Sequence, residues 1–268
     1  LVYCSLSGYG QHGPYRNRPG HDVNYLAVGG LLGLLVGPGE KPVVPGLPLA
    51  DLAGGLMAVV GILAALVARA RTGAGQYLDV SMLDAVVALT GIYSCLPARP
   101  QVFAGALPGY NVYETADGRY MALGALEGKF WNNFCRVLGR EDLMCRNEGG
   151  FSPEEREEVA RELQTLFRTR TRDEWAALFR DREACCDPVY DWQEVFSDPQ
   201  VQARGLVVES HHPREGKLRL AGVPVKFSAT PARVPGHAPA LGEHTEEILR
   251  GLGYSGEQVA RLREAGVV

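Results

Sequence analysis

The chain has 268 residues and a mass of 29.0 kDa, with 46% hydrophobic and 22% charged residues, so it can bury a substantial core and is not a disordered segment. Its net charge is −4 and its pI near 5.9, with no basic run and no basic–aromatic interleaving, which argues against nucleic acid as a partner. The six cysteines (Cys4, Cys95, Cys135, Cys145, Cys185 and Cys186) form no C-x-x-C pair and no zinc spacing with histidine, as expected of reduced thiols in a cytoplasmic protein without a bound metal.

Residues 1 to 6 alternate apolar side chains and predict a buried strand, so a further segment, on this or another polypeptide, is expected to cover it. Gly8, Gly10, Gly13 and Pro14 make the following loop. Its Gly-x-Gly-x-x-Gly spacing is a weak dinucleotide fingerprint, because Pro14 follows and no amphipathic helix starts there. Arg16, Arg18 and Lys41 lie near enough in sequence to meet an anion. Gly20-His21-Asp22-Val23-Asn24-Tyr25 then precedes the apolar stretch Leu26 to Val36. His21 is an acid–base candidate, since imidazole ordinarily titrates near neutrality, although a single histidine is also compatible with a satisfied surface position.

Pro48-Leu49-Ala50-Asp51 opens a run that stays apolar or small from Leu52 to Ala68 and stops at Arg69 and Arg71. Leu, Ala, Met and Ile favour a helix over 55 to 71, buried on all sides, with Asp51 at its N-cap or in its first turn. There the carboxylate either serves the helix end or stands at the floor of a pocket, with Gly54-Gly55 permitting close approach. About 17 apolar residues also reaches the lower limit for a membrane span, but the flanks favour a core helix. Gly73 ends the helix, a short strand follows at 77 to 82, and Leu83 to Tyr93 predicts a second apolar helix.

Pro97 to Pro108 reads as a linker, which gives expected domains over 1–100, 101–205 and 206–268. Beyond it, 110–115 and 119–124 predict a hairpin around Ala116-Asp117-Gly118. Glu127 precedes a helix over Phe130 to Leu138, either as its N-terminal acid or as a side chain reaching a cleft. Further helices are expected from Ser152 to Arg168, Thr171 to Arg180, 246 to 252, and after the Ser255…Gln258 capping box, with a strand over Val223 to Ser228. Glu243 and His244 read as surface residues.

Several of these pieces resemble the family III CoA-transferases, and within them the alpha-methylacyl-CoA racemases. They are Ser7-Gly8-Tyr9-Gly10-Gln11, Gly20-His21-Asp22-Val23-Asn24-Tyr25, Pro48 through Gly55, Gly73-x-Gly75-Gln76, Ala116 through Tyr120, Gly124-Ala125-Leu126-Glu127 and Gly242 through Glu247, in family order. The resemblance implies an α/β fold lacking most of its N-terminal Rossmann-like part, with a smaller α+β domain and a C-terminal segment returning to the large domain. It also implies an interlocked homodimer acting in lipid metabolism, with an acyl-CoA thioester as substrate and no further cofactor, metal, nucleic acid or membrane partner.

Carried onto this sequence, the resemblance makes His21 and Asp51 the proton-transferring pair, with Asp22 beside the thioester and Glu127 supporting His21. Gly20, Tyr25 and Tyr110 fall at substrate-binding positions. Its transferase branch instead uses the carboxylate at Asp51 as a nucleophile and usually lacks the histidine. Gly128 and the 105–110 loop depart from the racemase pattern where the acyl chain is expected to pass. The expectation is therefore a racemase inverting a 2-methylacyl-CoA by two-base proton transfer. The alternatives are CoA transfer through Asp51, or a chain inactive without a partner fragment.

Overall fold

A computed structural model describes residues 1–36, 41–94, 96, 105–144, 151–234 and 236–268. The chain divides into two units, Leu1–Val189 and Tyr190–Val268. The expected boundary near 100 falls at 97–104, outside the described residues.

In the first unit β1 (Tyr3–Ser7) pairs in parallel with β2 (Tyr77–Ser81), Tyr3 opposite Tyr77 and Ser7 opposite Ser81. Parallel strands need a long crossover. Here it holds α1 (Asp22–Val28), α2 (Leu31–Leu34) and α3 (Leu49–Thr72), and α4 (Met82–Thr90) follows β2. Strong helix formers carry α3 for 24 residues; Gly73, at φ 75°, ends it by donating its N–H to the Arg69 carbonyl.

The inward side of α3 consists of small residues, Ala50, Ala53, Gly54, Ala58 and Ala65. A β-carbon on Gly54 would lie 3.0 Å from Met82 Cγ and 3.3 Å from Leu6 Cδ1, so that glycine permits the approach to β1 and α4. The large residues face outward: Leu56 is 67% exposed, Val60 60% and Leu63 57%. The expectation of a helix buried on every side is thus corrected, because its small face alone packs. By length and composition α3 is apolar enough to cross a membrane. β1, expected to be buried, likewise exposes Tyr3 and Leu6.

Residues 105–189 form a second core in the same unit. β3 (Tyr110–Glu114) and β4 (Tyr120–Gly124) make the expected hairpin, and β5 (Cys186–Pro188) adds to β4 to complete the order β3-β4-β5. α5 (Gly128–Leu138), α6 (Pro153–Phe167) and α7 (Arg172–Phe179) supply the aromatic filling. Capping boxes start two of these helices, Ser152 with Glu155 and Thr171 with Glu174. Tyr113 stacks on Phe167 with centroids 4.9 Å apart. The indole N–H groups of Trp131 and Trp175 donate to the carbonyls of Leu143 and Phe167 at 2.7 and 2.8 Å, so neither is buried unpaired.

The second unit holds α8 (Pro199–Ala203), the antiparallel hairpin of β6 (Val207–His212) and β7 (Gly216–Ala221), α9 (Thr245–Gly251) and α10 (Gly256–Glu264). The strand expected over 223–228 is not formed. Pro224 has no N–H to give a ladder, and the pairing occurs earlier in sequence. Glu243 and His244 are exposed, and the Glu243 carboxylate accepts the Ala240 N–H at 2.6 Å.

Candidate functional site

Two helix N-termini meet in the first unit. His21 stands immediately before α1, where its N–H donates to Asn24 Oδ1 at 3.0 Å and its carbonyl accepts the Asn24 N–H at 2.8 Å. The backbone, not the imidazole, closes this reciprocal cap. The ring makes no hydrogen bond among the described residues, and His21 is exposed.

Asp22 makes the connection across the chain. Its Oδ1 accepts the N–H of Ala50 at 2.6 Å and of Asp51 at 3.2 Å, 28 and 29 residues away. A carboxylate from the first turn of α1 thereby caps α3, where unpaired N–H groups and the helix dipole favour negative charge. Asp51 lies in that first turn, as expected, but exposed and not at a pocket floor.

Tyr25, one turn along α1, is buried and donates its hydroxyl to the Gly20 carbonyl at 2.6 Å. β-Carbons on Gly8 or Gly20 would overlap its ring, so these glycines let the loop close over it. Burial pushes the Tyr25 hydroxyl above its ordinary range, with Tyr9 and the Asp51 carboxylate adding to the effect. Asp51 is thus an electrostatic neighbour of the loop that carries His21. Tyr25 shapes that loop from inside and does not offer its hydroxyl outward.

The loop is tied down from β2 as well, where both Asp79 oxygens accept the Gln11 N–H at 3.2 and 3.0 Å. Arg18, one of the anion candidates, stacks over Tyr15 at 4.9 Å and Tyr9 at 5.8 Å. The sequence reading passed over Asp79 and the capping role of Asp22, since both bridge long separations in the chain.

Glu127 and Tyr110 lie in the 105–189 core. Glu127 is the N-cap residue of α5, makes no side-chain capping bond and is exposed. No hydrogen bond or ion pair joins it to His21 among the described residues, so the support expected from it is not made within one chain. Its charge is felt instead by Cys185, whose thiol is pushed up first by burial and then by Glu127 and Asp187. No cluster of three or more His, Cys, Asp or Glu residues suited to a metal occurs among the described residues.

The corner holds an uncommitted imidazole, a carboxylate at a helix N-terminus and a second carboxylate binding their elements together. Such a set can exchange protons with a carbon acid, or attack a carbonyl through Asp51.

The chain is 34% identical over 283 residues to alpha-methylacyl-CoA racemase of Homo sapiens, all of this chain aligning with 71% of that one. It is 32% identical over 282 residues to the Homo sapiens succinyl-CoA:glutarate CoA-transferase, covering 64% of its length. The crystal structure of a CAIB/BAIF family protein from Brucella suis superposes with a TM-score of 0.74 at 28% identity, covering 94% of this chain and 68% of that one. The model for CoA-transferase family III matches residues 1–245, and with relatives above 30% identity aligned along the whole of this chain the protein belongs to that family, on its mixed α/β fold.

Proposed function

We propose that the chain acts in a racemase that inverts the carbon next to an acyl-CoA thioester by two-base proton transfer. One of the pair removes the α-proton from one face, leaving a planar enolate, and the other returns a proton to the opposite face. His21 and Asp51 exchange these roles with the direction of reaction. A positioned acid or base contributes about 10²–10⁴-fold to rate. The observation that carries this reading is the Asp22 carboxylate, which binds the start of α3 to the helix His21 opens.

That same bond uses the N–H groups of Ala50 and Asp51, which are then not available to a developing enolate oxygen. The Asp22 N–H, which has no acceptor among the described residues, is the donor we assign to the thioester. Glu127 would support His21 between two copies of the chain, since among the described residues no hydrogen bond or ion pair joins the two within one.

Transferase relatives of similar identity keep the second reading open. There Asp51 attacks the thioester carbonyl and releases CoA thiolate. The thiolate then attacks the resulting anhydride at the aspartyl carbonyl, freeing the carboxylic acid and leaving an aspartyl-CoA thioester. His21 has no role in that sequence. Incubation with a 2-methylacyl-CoA in deuterated water is expected to exchange the α-proton, and His21→Ala and Asp51→Ala are each expected to lower exchange at least about 100-fold. Wild-type exchange from both enantiomers in the His21 variant would refute the racemase. A hydroxylamine-trapped adduct on Asp51 would establish the transferase.

A further inference from the structure

Tyr9 stands in the Ser7-Gly8-Tyr9-Gly10 turn that leaves β1, and it is only 8% exposed. It shares a small core with Tyr25, Leu26, Ala50 and Val86, so it packs against the starts of both α1 and α3, the helices that carry His21 and Asp51. Its ring meets the Tyr25 ring edge-on, with centroids 5.0 Å apart. Ala50 of the same core is the residue whose N–H the Asp22 carboxylate accepts.

The two tyrosine hydroxyls in this core differ. Tyr25 donates its own to the Gly20 carbonyl at 2.6 Å. The Tyr9 hydroxyl is the one buried side-chain polar atom without a hydrogen-bond partner among the described residues. For packing alone that oxygen is a cost, because a hydroxyl buried unpaired is unfavourable and phenylalanine fills the same space. Such groups are rare in folded chains, and local rules of this kind are broken where function requires it.

The cover over Tyr9 is light. The Tyr15 ring stands edge-on to it at 5.5 Å, and the Arg18 guanidinium lies 5.8 Å from its centre. Both belong to the exposed segment 11–19, which follows Gly10 at φ 83° and contains Gly13 at φ 84°. Arg18 is held there by cation–π contact, which is weak at an exposed position.

We infer that Tyr9 is a substrate-binding residue, its hydroxyl donating to a carbonyl oxygen of the bound acyl-CoA once the cover of Tyr15 and Arg18 gives way. The inference rests on the reading of an acyl-CoA as ligand, and not on which reaction follows. A neutral phenol can donate to a neutral carbonyl without bringing charge into the core, whereas a phosphate would bring its charge with it. The carbonyl belongs either to the thioester or to an amide of the CoA arm.

Tyr9→Phe removes that oxygen and keeps the ring contacts. Circular dichroism melts should place it at or above wild type, whereas Tyr25→Phe, which orphans the Gly20 carbonyl, should melt about 2–4 °C lower. Calorimetric titrations with CoA and with a 2-methylacyl-CoA, and α-proton exchange of the latter, supply the second readout. A bond to an arm amide predicts that Tyr9→Phe binds both ligands about three- to tenfold more weakly. A bond to the thioester predicts that only the acyl-CoA binds more weakly, with exchange lowered about 100-fold.

A Tyr9→Phe melt more than about 2 °C below wild type would show a partner already present in the free chain and overturn the inference. Affinities and exchange within about twofold of wild type would leave the hydroxyl to solvent and overturn it too, as would a wild-type chain that binds neither ligand. Binding without exchange in wild type would instead overturn the racemase reading, and the two titrations would then decide the role of Tyr9 alone.

Discussion

Asp22→Ala removes one oxygen that two backbone N–H groups share, at 2.6 and 3.2 Å, from a side chain of intermediate burial. Loss of a helix cap costs about 0.5–2 kcal/mol, and a hydrogen bond to a charged acceptor contributes about 1.5–3 kcal/mol. Water can reach the Asp51 N–H, so the two contributions do not add fully, and about 2 kcal/mol is expected. In a unit of this size that lowers the midpoint by about 4–8 °C. Asp22→Asn keeps an acceptor and loses only its charge, so it should cost less than about 1 kcal/mol. Circular dichroism melts at pH 7 read both values. The exchange assay should fall in Asp22→Ala even below the melting transition, because the first turn of α3 frays and Asp51 leaves its place. An alanine variant melting within about 1 °C of wild type, with undiminished exchange, would refute the bridging role.

Two further outcomes are expected. Thr115 Oγ1, donating at 2.6 Å, and the Arg172 N–H together hold the Asp117 carboxyl below the usual carboxylate range, as the Thr171 N–H and hydroxyl do for Glu174. A depressed folded value means this stability is present above the unfolded carboxylate range and is lost as pH falls through the folded one. Asp117→Asn and Glu174→Gln should therefore flatten the fall of the urea midpoint below about pH 4 and leave its slope near neutrality unchanged; an unaltered acid limb would reject the assignment. The exposed Leu56, Val60 and Leu63 face of α3 should be buried against a second copy, giving a light-scattering mass of twice 29.0 kDa that Leu56→Glu with Leu63→Glu returns to the single-chain value. A wild-type chain that stays monomeric at about 100 μM would defeat that assignment.

Features closed within a few residues could be read from the sequence. Pro48 and Gly73 bound α3, Ser152 and Glu155 start α6, and Gly118, at φ 71°, turns the β3–β4 hairpin. The orientation of α3 could not, because a helix apolar all round carries no periodic sign of which face goes in. Close packing against Met82 and Leu6 chose the alanine side, the opposite of what side-chain bulk suggests. β5 was equally hidden. Cys186-Asp187-Pro188 has no strand pattern, and it becomes one because β4 has an open edge there.

At the site, residue types were legible and the linkage was not. Asp51 fits the proton-transfer chemistry and the acyl-transfer chemistry equally, since either needs a carboxylate at that helix end. In the proposed reading the imidazole separates them. Had its ring closed the α1 cap, His21 would be a structural residue and the transferase reading would gain. The hydrogen bonds of the cap run between its backbone N–H and carbonyl and Asn24, and the ring makes none among the described residues. Asp22 then restricts the choice further. By occupying the Ala50 and Asp51 N–H groups it removes the donors that an oxyanion at the mouth of α3 would use. A tetrahedral or anhydride-forming step at Asp51 would have to proceed without them. In the proposed racemase reading the enolate oxygen rests instead on the Asp22 N–H, beside His21, and the deuterium-exchange and hydroxylamine experiments decide between that reading and acyl transfer.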